Sequence, residues 1–399
     1  MKPKLVVYYP NWATYRNTGR NNGVGTIPWD KVSVINHAFY FVDSDFSIAS
    51  TDKFADEEKI MEHSEADGPK GHMGEYAYFK ARYPEVKVQI SVGGWTEGRY
   101  FHDMAKTPES RSVFIESAIE LLKKYPFIDG IDIDWEFPGI DRQADPNDVN
   151  DKGCPGGPED KQNFTSLLRE LREAYDAVGM KDRLLTVAVS ALYDVTERQE
   201  PDKYAQYLDW INVMTYDMHS ALEEHTNHQS PLFANPADPS PVEPVDKKNR
   251  YNTDSVMKYY RDRCNIPASK LNIGSPYYSR GWKNVDPDTG IDGLFARGKG
   301  SPIGDLDSPA YPAGINTFGR MKELEETPGY VKYRDPVSRV PWLYNRDEKI
   351  MYTYEDEISA AERCDYVLKN GFGGIIVWEI TTDTVDHLLT NTIHDRLGL

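Results

Sequence analysis

The chain has 399 residues, of which 39% are hydrophobic, 12% are aromatic and 28% are charged, and its formal net charge is −18. This acidic balance excludes a nucleic-acid partner, which would require clustered positive charge. No apolar run approaches the roughly 18 residues that a membrane span requires. The composition therefore predicts a large globular protein with a neutral ligand, and its 26 Tyr and 8 Trp are enough to line a binding surface.

The N-terminus and the three cysteines give limited information about where the protein acts. A predicted strand begins at Leu5, so no signal peptide precedes it; we expect either a cytoplasmic protein or a chain whose signal has been removed. Cys154, Cys264 and Cys364 are too far apart in the sequence for a zinc motif and allow at most one disulfide. We expect them to be buried thiols.

Short apolar segments rich in β-branched residues alternate with amphipathic segments along the whole chain. The predicted strands cover residues 5–9, 32–41, 86–92, 130–135, 184–190, 210–215, 271–275 and 374–378. The predicted helices include 75–83, 110–124, 158–178, 253–264 and 355–370. Eight strands separated by helices predict a parallel sheet closed into a (β/α)8 TIM barrel, of class α/β. The alternative is a doubly wound open sheet, but no glycine-rich phosphate loop follows the first strand.

The interval between the seventh and eighth predicted strands is too long for a single helix. Within it, residues 290–294 and 330–333 resemble short strands and residues 316–326 a helix, and 349–353 is a further strand candidate. We predict an α+β insertion at 282–346 that walls one side of a cleft. The barrel would then consist of residues 1–281 and 347–399.

Three acids mark the predicted fourth strand, where Asp132, Asp134 and Glu136 alternate with apolar residues. Residues two apart in a strand share a face, so the three carboxyl groups would form a row. Asp is depleted in strands, and mutual repulsion raises the pKa of at least one acid, which could then donate a proton near neutral pH. A solvated face is the ordinary alternative. A metal site is disfavoured because the row runs along one strand instead of surrounding a point.

Four motifs at predicted strand ends closely resemble those of the family 18 chitinases. The family signature D-G-x-D-x-D-W-E stands at residues 129–136, S-x-G-G at 91–94, M-x-Y-D at 214–217, and the closing W-E at 378–379. Residues 276–282 look like the family's seventh-strand ending. The insertion that follows resembles the one found in bacterial members with deep clefts.

The resemblance implies a retaining hydrolysis of β-1,4 linkages between N-acetylglucosamine units, in which the substrate's acetamide group is the nucleophile. By this resemblance Glu136 would be the acid and base, while Asp134 would hold the acetamide N–H. Asp132 would share a proton with Asp134, and the pair would titrate together. Tyr216 would bind the acetamide carbonyl, and Asp217 would bind the distorted sugar. Neither a metal nor a cofactor is implied.

The remaining expected contacts are with the sugar chain or with the inner acids. Trp378 would form the floor beneath the sugar at the cleavage point, and Trp95 would stack on the leaving-group side. Tyr8 and Ser91 would hydrogen-bond the inner Asp pair. The other matching cleft positions are Gly94, Met214, Tyr278 and Arg280, the last of which could instead be a simple loop cation. Trp135 should pack behind the barrel, whereas Trp12 and Trp282 are balanced between cleft and core.

Two other functions share parts of this pattern. A non-catalytic chitin-binding lectin would have lost the acid, which is present here as Glu136. An endo-β-N-acetylglucosaminidase acting on N-glycans would usually lack the insertion. We therefore expect a monomeric chitinase that binds chitin or chitooligosaccharides. Such a substrate favours an extracellular location, while the N-terminus leaves a cytoplasmic one open.

Overall fold

The computed structural model describes residues 2–16, 22–65, 67–145, 148, 150–308 and 312–399. The strands of the described chain are β1 (Lys4–Pro10), β2 (Val34–Val42), β3 (Ile48–Ser50), β4 (Lys87–Gly93), β5 (Gly130–Asp134), β6 (Leu184–Ser190), β7 (Trp210–Met214), β8 (Leu271–Pro276), β9 (Arg280–Trp282), β10 (Tyr330–Arg334), β11 (Pro341–Asn345), β12 (Ile350–Thr353) and β13 (Gly374–Trp378). The α-helices are α1 (Gly71–Lys80), α2 (Phe101–Lys106), α3 (Pro108–Lys124), α4 (Asp160–Ala177), α5 (Tyr193–Thr196), α6 (Pro201–Tyr204), α7 (Lys247–Arg250), α8 (Thr253–Lys258), α9 (Phe318–Glu325), α10 (Glu357–Asn370) and α11 (Leu388–Leu397).

Eight parallel strands form a closed barrel, which confirms the predicted (β/α)8 fold. Their order is β1-β2-β4-β5-β6-β7-β8-β13, and β13 pairs again with β1, so that Val7 lies opposite Val377. β3 is an extra strand that pairs antiparallel with β2. Because all eight barrel strands run in the same direction, their carboxyl ends meet at one mouth.

Alternation along the strands separates the two sides of the barrel wall. On β5, Ile131 and Ile133 join the large apolar cluster between the sheet and the helices. Asp132 and Asp134 therefore point to the opposite side, into the barrel. Trp135 is buried with the helices, where its ring stacks on Phe101 at a centroid distance of 5.3 Å, as the sequence predicted.

Local signals explain where the longer helices begin and end. At α3, Thr107 and Ser110 form a capping box and Pro108 occupies the first turn, where its missing N–H costs nothing. At α10, Asp356 and Ser359 form a second capping box, and Gly371 ends the helix in a left-handed conformation. The predicted helix at 253–264 is divided in the structure, because α8 ends at Lys258 and a π-helical turn continues from Tyr259 to Arg263.

The segment between β8 and β13 contains an antiparallel sheet of order β10-β11-β12-β9, with α9 beside it. Its strands begin at Arg280 and end at Thr353, beyond both limits of the predicted insertion at 282–346, and the division into two domains remains a prediction. The predicted strand at 290–294 is wrong. That segment is a tight turn in which Ile291 and Leu294 bridge, with positive φ at Gly290, Asp292 and Gly293. Among the described helices, none is both long and apolar enough to cross a membrane.

Candidate active site

The acid row lies at the mouth, but it is not carried by one regular strand. β5 ends at Asp134, and Glu136 lies on the bend just beyond. The sequence prediction extended the strand to residue 135 and treated Glu136 as its end. This position lets Glu136 leave the plane of the wall, while Asp132 and Asp134 remain inside the barrel.

Asp132 is completely buried and accepts hydrogen bonds from four other strands. The Tyr8 hydroxyl donates to Oδ2 at 2.7 Å and the Ser91 hydroxyl donates to the same oxygen at 2.8 Å, as the sequence predicted. Thr186 donates to Oδ1 at 2.5 Å and Asn212 donates to it at 3.3 Å. Burial raises the pKa of Asp132, and these four donors oppose that rise by stabilising the carboxylate.

Asp134 is equally enclosed but has far fewer partners. Its Oδ1 atom is buried and has no hydrogen-bond partner among the described residues. Burial, followed by repulsion from Glu136 and Asp132, raises the pKa of Asp134 well above its usual range. A buried polar atom without a partner is rare in native proteins, so Oδ1 is a strong candidate for contact with a ligand.

Glu136 is half-buried, and its ionisation is strongly suppressed. Burial is the largest cause and repulsion from Asp217 adds to it, while the positive charge of Arg142 opposes both, and the pKa of Glu136 is raised to about 8. A carboxyl group of this kind carries a proton at neutral pH. The arrangement therefore offers a proton donor next to a polar, unpartnered acid.

A charged pair, Asp217 and Arg280, lies beyond the end of β7. Asp217 follows β7 and adopts a positive φ of 55°. It accepts two hydrogen bonds from Arg280 on β9, at 2.7 and 2.9 Å. Arg280 is therefore a bidentate partner of Asp217 and more than a simple loop cation. Tyr216 packs edge-on against Tyr278, with ring centroids 6.2 Å apart, and the half-buried Met214 belongs to the same apolar cluster.

Aromatic rings cover the side of the mouth near β13 and β1. Trp378 stacks on Phe39, with ring centroids 5.5 Å apart and planes within 15°. Tyr8 lies 5.7 Å from Trp378 and Trp12 lies 6.2 Å from it. Trp12 is 39% exposed, which places it at the cleft surface. Trp282 is fully buried in the core of the insertion, so the structure assigns it to packing.

The end of β4 approaches the acids through two glycines. Gly93 and Gly94 have φ values of +117° and +85°, and the Gly94 amide donates to the Asp134 carbonyl at 2.8 Å. A Cβ on Gly93 would lie 2.1 Å from that same carbonyl oxygen, and one on Gly94 would lie 2.5 Å from the Phe39 ring. The glycines thus permit a close approach that places Trp95, 49% exposed, at the rim.

Nearly the whole chain matches a family of known proteins. Residues 4–383 match the model of glycosyl hydrolases family 18. The chain belongs to this family.

Among curated proteins, the chain is 33% identical to chitinase A1 of Niallia circulans, over 95% of this chain and 56% of that protein. It is 30% identical to chitotriosidase-1 of Mus musculus, over 95% of this chain and 73% of that protein. Among solved structures, chitinase ChiA74 from Bacillus thuringiensis matches with a TM-score of 0.87 and 29% identity, over all of this chain and 70% of that one. The chain thus spans about half the length of chitinase A1, and it covers 28% of the Flavobacterium johnsoniae chitinase ChiA.

Four residues of this candidate site were missed by the sequence reasoning. Thr186 and Asn212 are polar residues inside the apolar runs of β6 and β7, and that interruption was a usable signal. Phe39 gave no signal, because in the sequence it looks like an ordinary core residue within an apolar strand. Arg142 lies in the loop after β5, where no periodicity marks it. Its guanidinium covers the Trp95 ring at 4.0 Å from the centroid.

One buried group near β1 and β2 has the residue types of a metal site. His37, Asp56 and His72 lie with their ligand atoms within 4.8 Å of one another. However, Oδ1 of Asp56 is hydrogen-bonded to both imidazoles, at 2.9 and 2.8 Å. Its Oδ2 atom accepts from Asn11 at 3.0 Å and from Ser50 at 2.5 Å. The group therefore forms a satisfied hydrogen-bond network and offers no free coordination position.

Proposed function

We propose that this chain is a chitinase that hydrolyses β-1,4 linkages between N-acetylglucosamine units in chitin or chitooligosaccharides, with retention at the anomeric carbon. The observation that carries the proposal is the contrast within the acid row. Glu136 retains its proton near neutral pH, while buried Asp134 presents an unpartnered oxygen beside it. This pair matches a reaction that needs one proton donor and one acceptor for an amide N–H.

In the first step, the acetamide carbonyl oxygen of the substrate attacks its own anomeric carbon, and the glycosidic bond breaks. Glu136 gives its proton to the departing glycosidic oxygen. Asp134 accepts a hydrogen bond from the acetamide N–H and stabilises the positive charge of the cyclic oxazolinium. Tyr216 donates to the acetamide oxygen during this step and orients it.

In the second step, water attacks the anomeric carbon and the oxazolinium ring opens to restore the acetamide. Glu136, now a carboxylate, takes the proton from that water and returns to its starting form. Two displacements at the same carbon retain its configuration. Asp132 supports both steps indirectly, because its four donors stabilise negative charge next to Asp134.

Sugar binding is assigned to the aromatic surfaces and to the polar groups across from them. Trp378, backed by Phe39, would be the floor under the sugar that is cleaved, and Trp95 would contact the leaving-group sugars. Asp217, positioned by Arg280, would bind hydroxyl groups of the distorted sugar. Gly94, Met214 and Tyr278 would complete the wall. Because chitin is an extracellular polymer, we also propose that the protein acts outside the cell. We propose further that it acts as a monomer.

The decisive experiment is hydrolysis of N-acetylglucosamine hexamer by the wild type and by Glu136→Gln, with anomer analysis of the products. We expect β-anomers from the wild type and a loss of at least about 10²-fold in kcat for the variant, because proton donation contributes about that much. Glu116→Gln on α3, an exposed position whose carboxylate accepts a hydrogen bond from Ser112, is the matched control and should retain full activity. α-Anomers, or near-normal turnover by Glu136→Gln, would refute the proposal.

A further inference from the structure

The loop after β5 places a buried charge network directly against the rim of the proposed site. Asp151 is almost completely buried, with 1% of its side chain exposed. It accepts two hydrogen bonds from Arg142, at 2.5 and 3.0 Å, and two more from the backbone amides of Asp145 and Gly153. Burial alone would raise the pKa of Asp151, but these donors hold it below its usual range. Arg142 is therefore paired with a buried, fully hydrogen-bonded carboxylate.

The same loop is joined to the segment that follows β4. The backbones of Arg142 and Cys154 exchange two hydrogen bonds of 2.8 Å, and the Lys152 amide donates to the Thr96 carbonyl at 2.9 Å. Cys154 packs so closely on Gly98 that a Cβ there would lie 2.7 Å from the Cys154 Cβ. These contacts tie the loop to the segment that carries Trp95.

Arg142 then contacts Trp95 in two ways. Its guanidinium carbon lies 4.0 Å from the ring centroid, and its Nη2 atom donates to the Trp95 carbonyl at 2.5 Å. The cation covers one face of the indole, while the ring remains half exposed. Trp95 is thus held as a platform with a single open face, since an arginine stacked on an aromatic ring restricts its rotation.

Arg142 is also the positive charge that favours ionisation of Glu136, against the opposing effects of burial and of repulsion from Asp217. Among the described residues, the charged and titratable groups around Glu136 come from β5 and from the loops after β5 and β7, and they are Asp134, Arg142, Cys154, Asp217 and Tyr216. Arg142 is the cation of this set, and Asp217 already has its own cation in Arg280. When Glu136 has given its proton away, Arg142 is therefore placed to offset the charge that forms.

We propose that Arg142 is a positioning residue for the reaction: it fixes Trp95 as a one-faced platform for the leaving-group sugars and offsets the negative charge of deprotonated Glu136. This inference rests on the proposed function. It assigns a role in glycoside cleavage to a residue outside the four motifs at the strand ends. It also explains why this loop arginine is hydrogen-bonded to a buried carboxylate instead of being solvated.

The test compares Arg142→Gln, Arg142→Lys and Trp95→Ala in the complete chain, with N-acetylglucosamine hexamer as substrate across a pH series. For Arg142→Gln we expect KM to rise by roughly two- to tenfold, between the values for an exposed and a desolvated cation–π contact, and the alkaline limb of kcat/KM to move to higher pH. Arg142→Lys keeps the positive charge but loses the planar guanidinium group. It should therefore leave the alkaline limb of kcat/KM at its wild-type pH and still raise KM. Trp95→Ala should raise KM without moving the limb.

The double variant Trp95→Ala with Arg142→Gln measures the coupling between the two side chains. If Arg142 acts through the platform, the double variant should bind the hexamer no more weakly than Trp95→Ala alone. Arg82→Gln is the matched control, because it removes a cation stacked on Tyr78 at 3.4 Å, just before the amino end of β4 and so opposite the mouth. It should leave both KM and the pH limb unchanged.

An unchanged alkaline limb and unchanged KM in Arg142→Gln would overturn the inference, and so would fully multiplicative effects in the double variant. Titration of Trp fluorescence with the hexamer gives the binding result independently of turnover. If the wild type bound the hexamer without cleaving it, the proposed chitinase function would fail. The fluorescence titration of Arg142→Gln, with unchanged thermal unfolding as a check on folding, would still decide whether Arg142 supports the platform.

Discussion

Asp132, Asp134 and Glu136 are close along the chain, yet each has a different environment. Asp132 has four donors from four strands, Asp134 has an unpartnered buried oxygen, and Glu136 sits at the rim between Arg142 and Asp217. Carboxyl groups with such different surroundings ionise differently, and this difference separates the donor of a proton from the groups that stabilise charge. At the scale of single residues, the chemistry is thus set by the neighbours of each acid.

A pH profile follows directly from the protonation of Glu136. The protonated form is the active acid, so kcat/KM should fall as pH rises through about 8, the pKa raised by burial and by Asp217. Asp217→Asn removes a repelling charge and should move this descending limb to lower pH. Asp288→Asn, an exposed position in the insertion, removes the same charge far from the acids and serves as control. A limb that moved upward in Asp217→Asn would contradict this account.

At the scale of elements, the close contact between β4 and β5 depends on glycine. Gly93→Ala would force a Cβ against the Asp134 carbonyl at 2.1 Å and also strain a positive φ. Gly179→Ala at the end of α4 shares the positive φ but has open space around it. We expect a loss of about 1 kcal/mol in unfolding free energy for Gly179→Ala and of at least about 3 kcal/mol for Gly93→Ala. Urea denaturation measures both, and equal losses would show that the contact is unimportant.

The same scale shows why sequence reasoning succeeded in some places and failed in others. The barrel strands and the acids were predictable because alternation along a strand is a local pattern. Ser91 and Thr186 lie in register with Asp132 on the neighbouring strands β4 and β6, whereas Tyr8 on β1 and Asn212 on β7 reach it across the barrel interior. The turn at 290–294 was mistaken for a strand because its positive φ values at Asp292 and the flanking glycines do not show in apolar patterning. Arg142 lies in a loop, where contact partners depend on the path of the chain.

At the scale of the whole molecule, a buried ion pair joins α10 to the segment just after β12. Arg363 on α10 donates to Glu355 at 2.7 Å, to Thr253 at 3.0 Å and to the Ser230 hydroxyl at 2.7 Å. Glu355, just after β12, also accepts from Ser275 on β8 at 2.5 Å. Both charged side chains are 1% exposed. This network connects four parts of the chain that are distant in sequence.

Removing one partner of this pair should destabilise the entire fold. Arg363→Met leaves the Glu355 carboxylate buried without its cation, and we expect a loss of about 3–5 kcal/mol in unfolding free energy. The double variant Arg363→Met with Glu355→Leu should recover part of that loss, because no charge remains uncompensated. Urea unfolding followed by circular dichroism gives both values. A double variant that was less stable than Arg363→Met would contradict this explanation.

The pairing of β1 with β13 has a consequence for how the molecule is made. The barrel cannot close until Val377 has been synthesised and can pair opposite Val7. At synthesis rates of about 5–20 residues per second, the time between the synthesis of these two residues is roughly 20–70 s. Until then β1 and the growing sheet present unpaired strand edges, which are sites of aggregation. The ring at Trp378 is also among the last parts of the site to be synthesised. A nascent chain is therefore exposed longest at the seam between β1 and β13, where Trp378 ends the last strand.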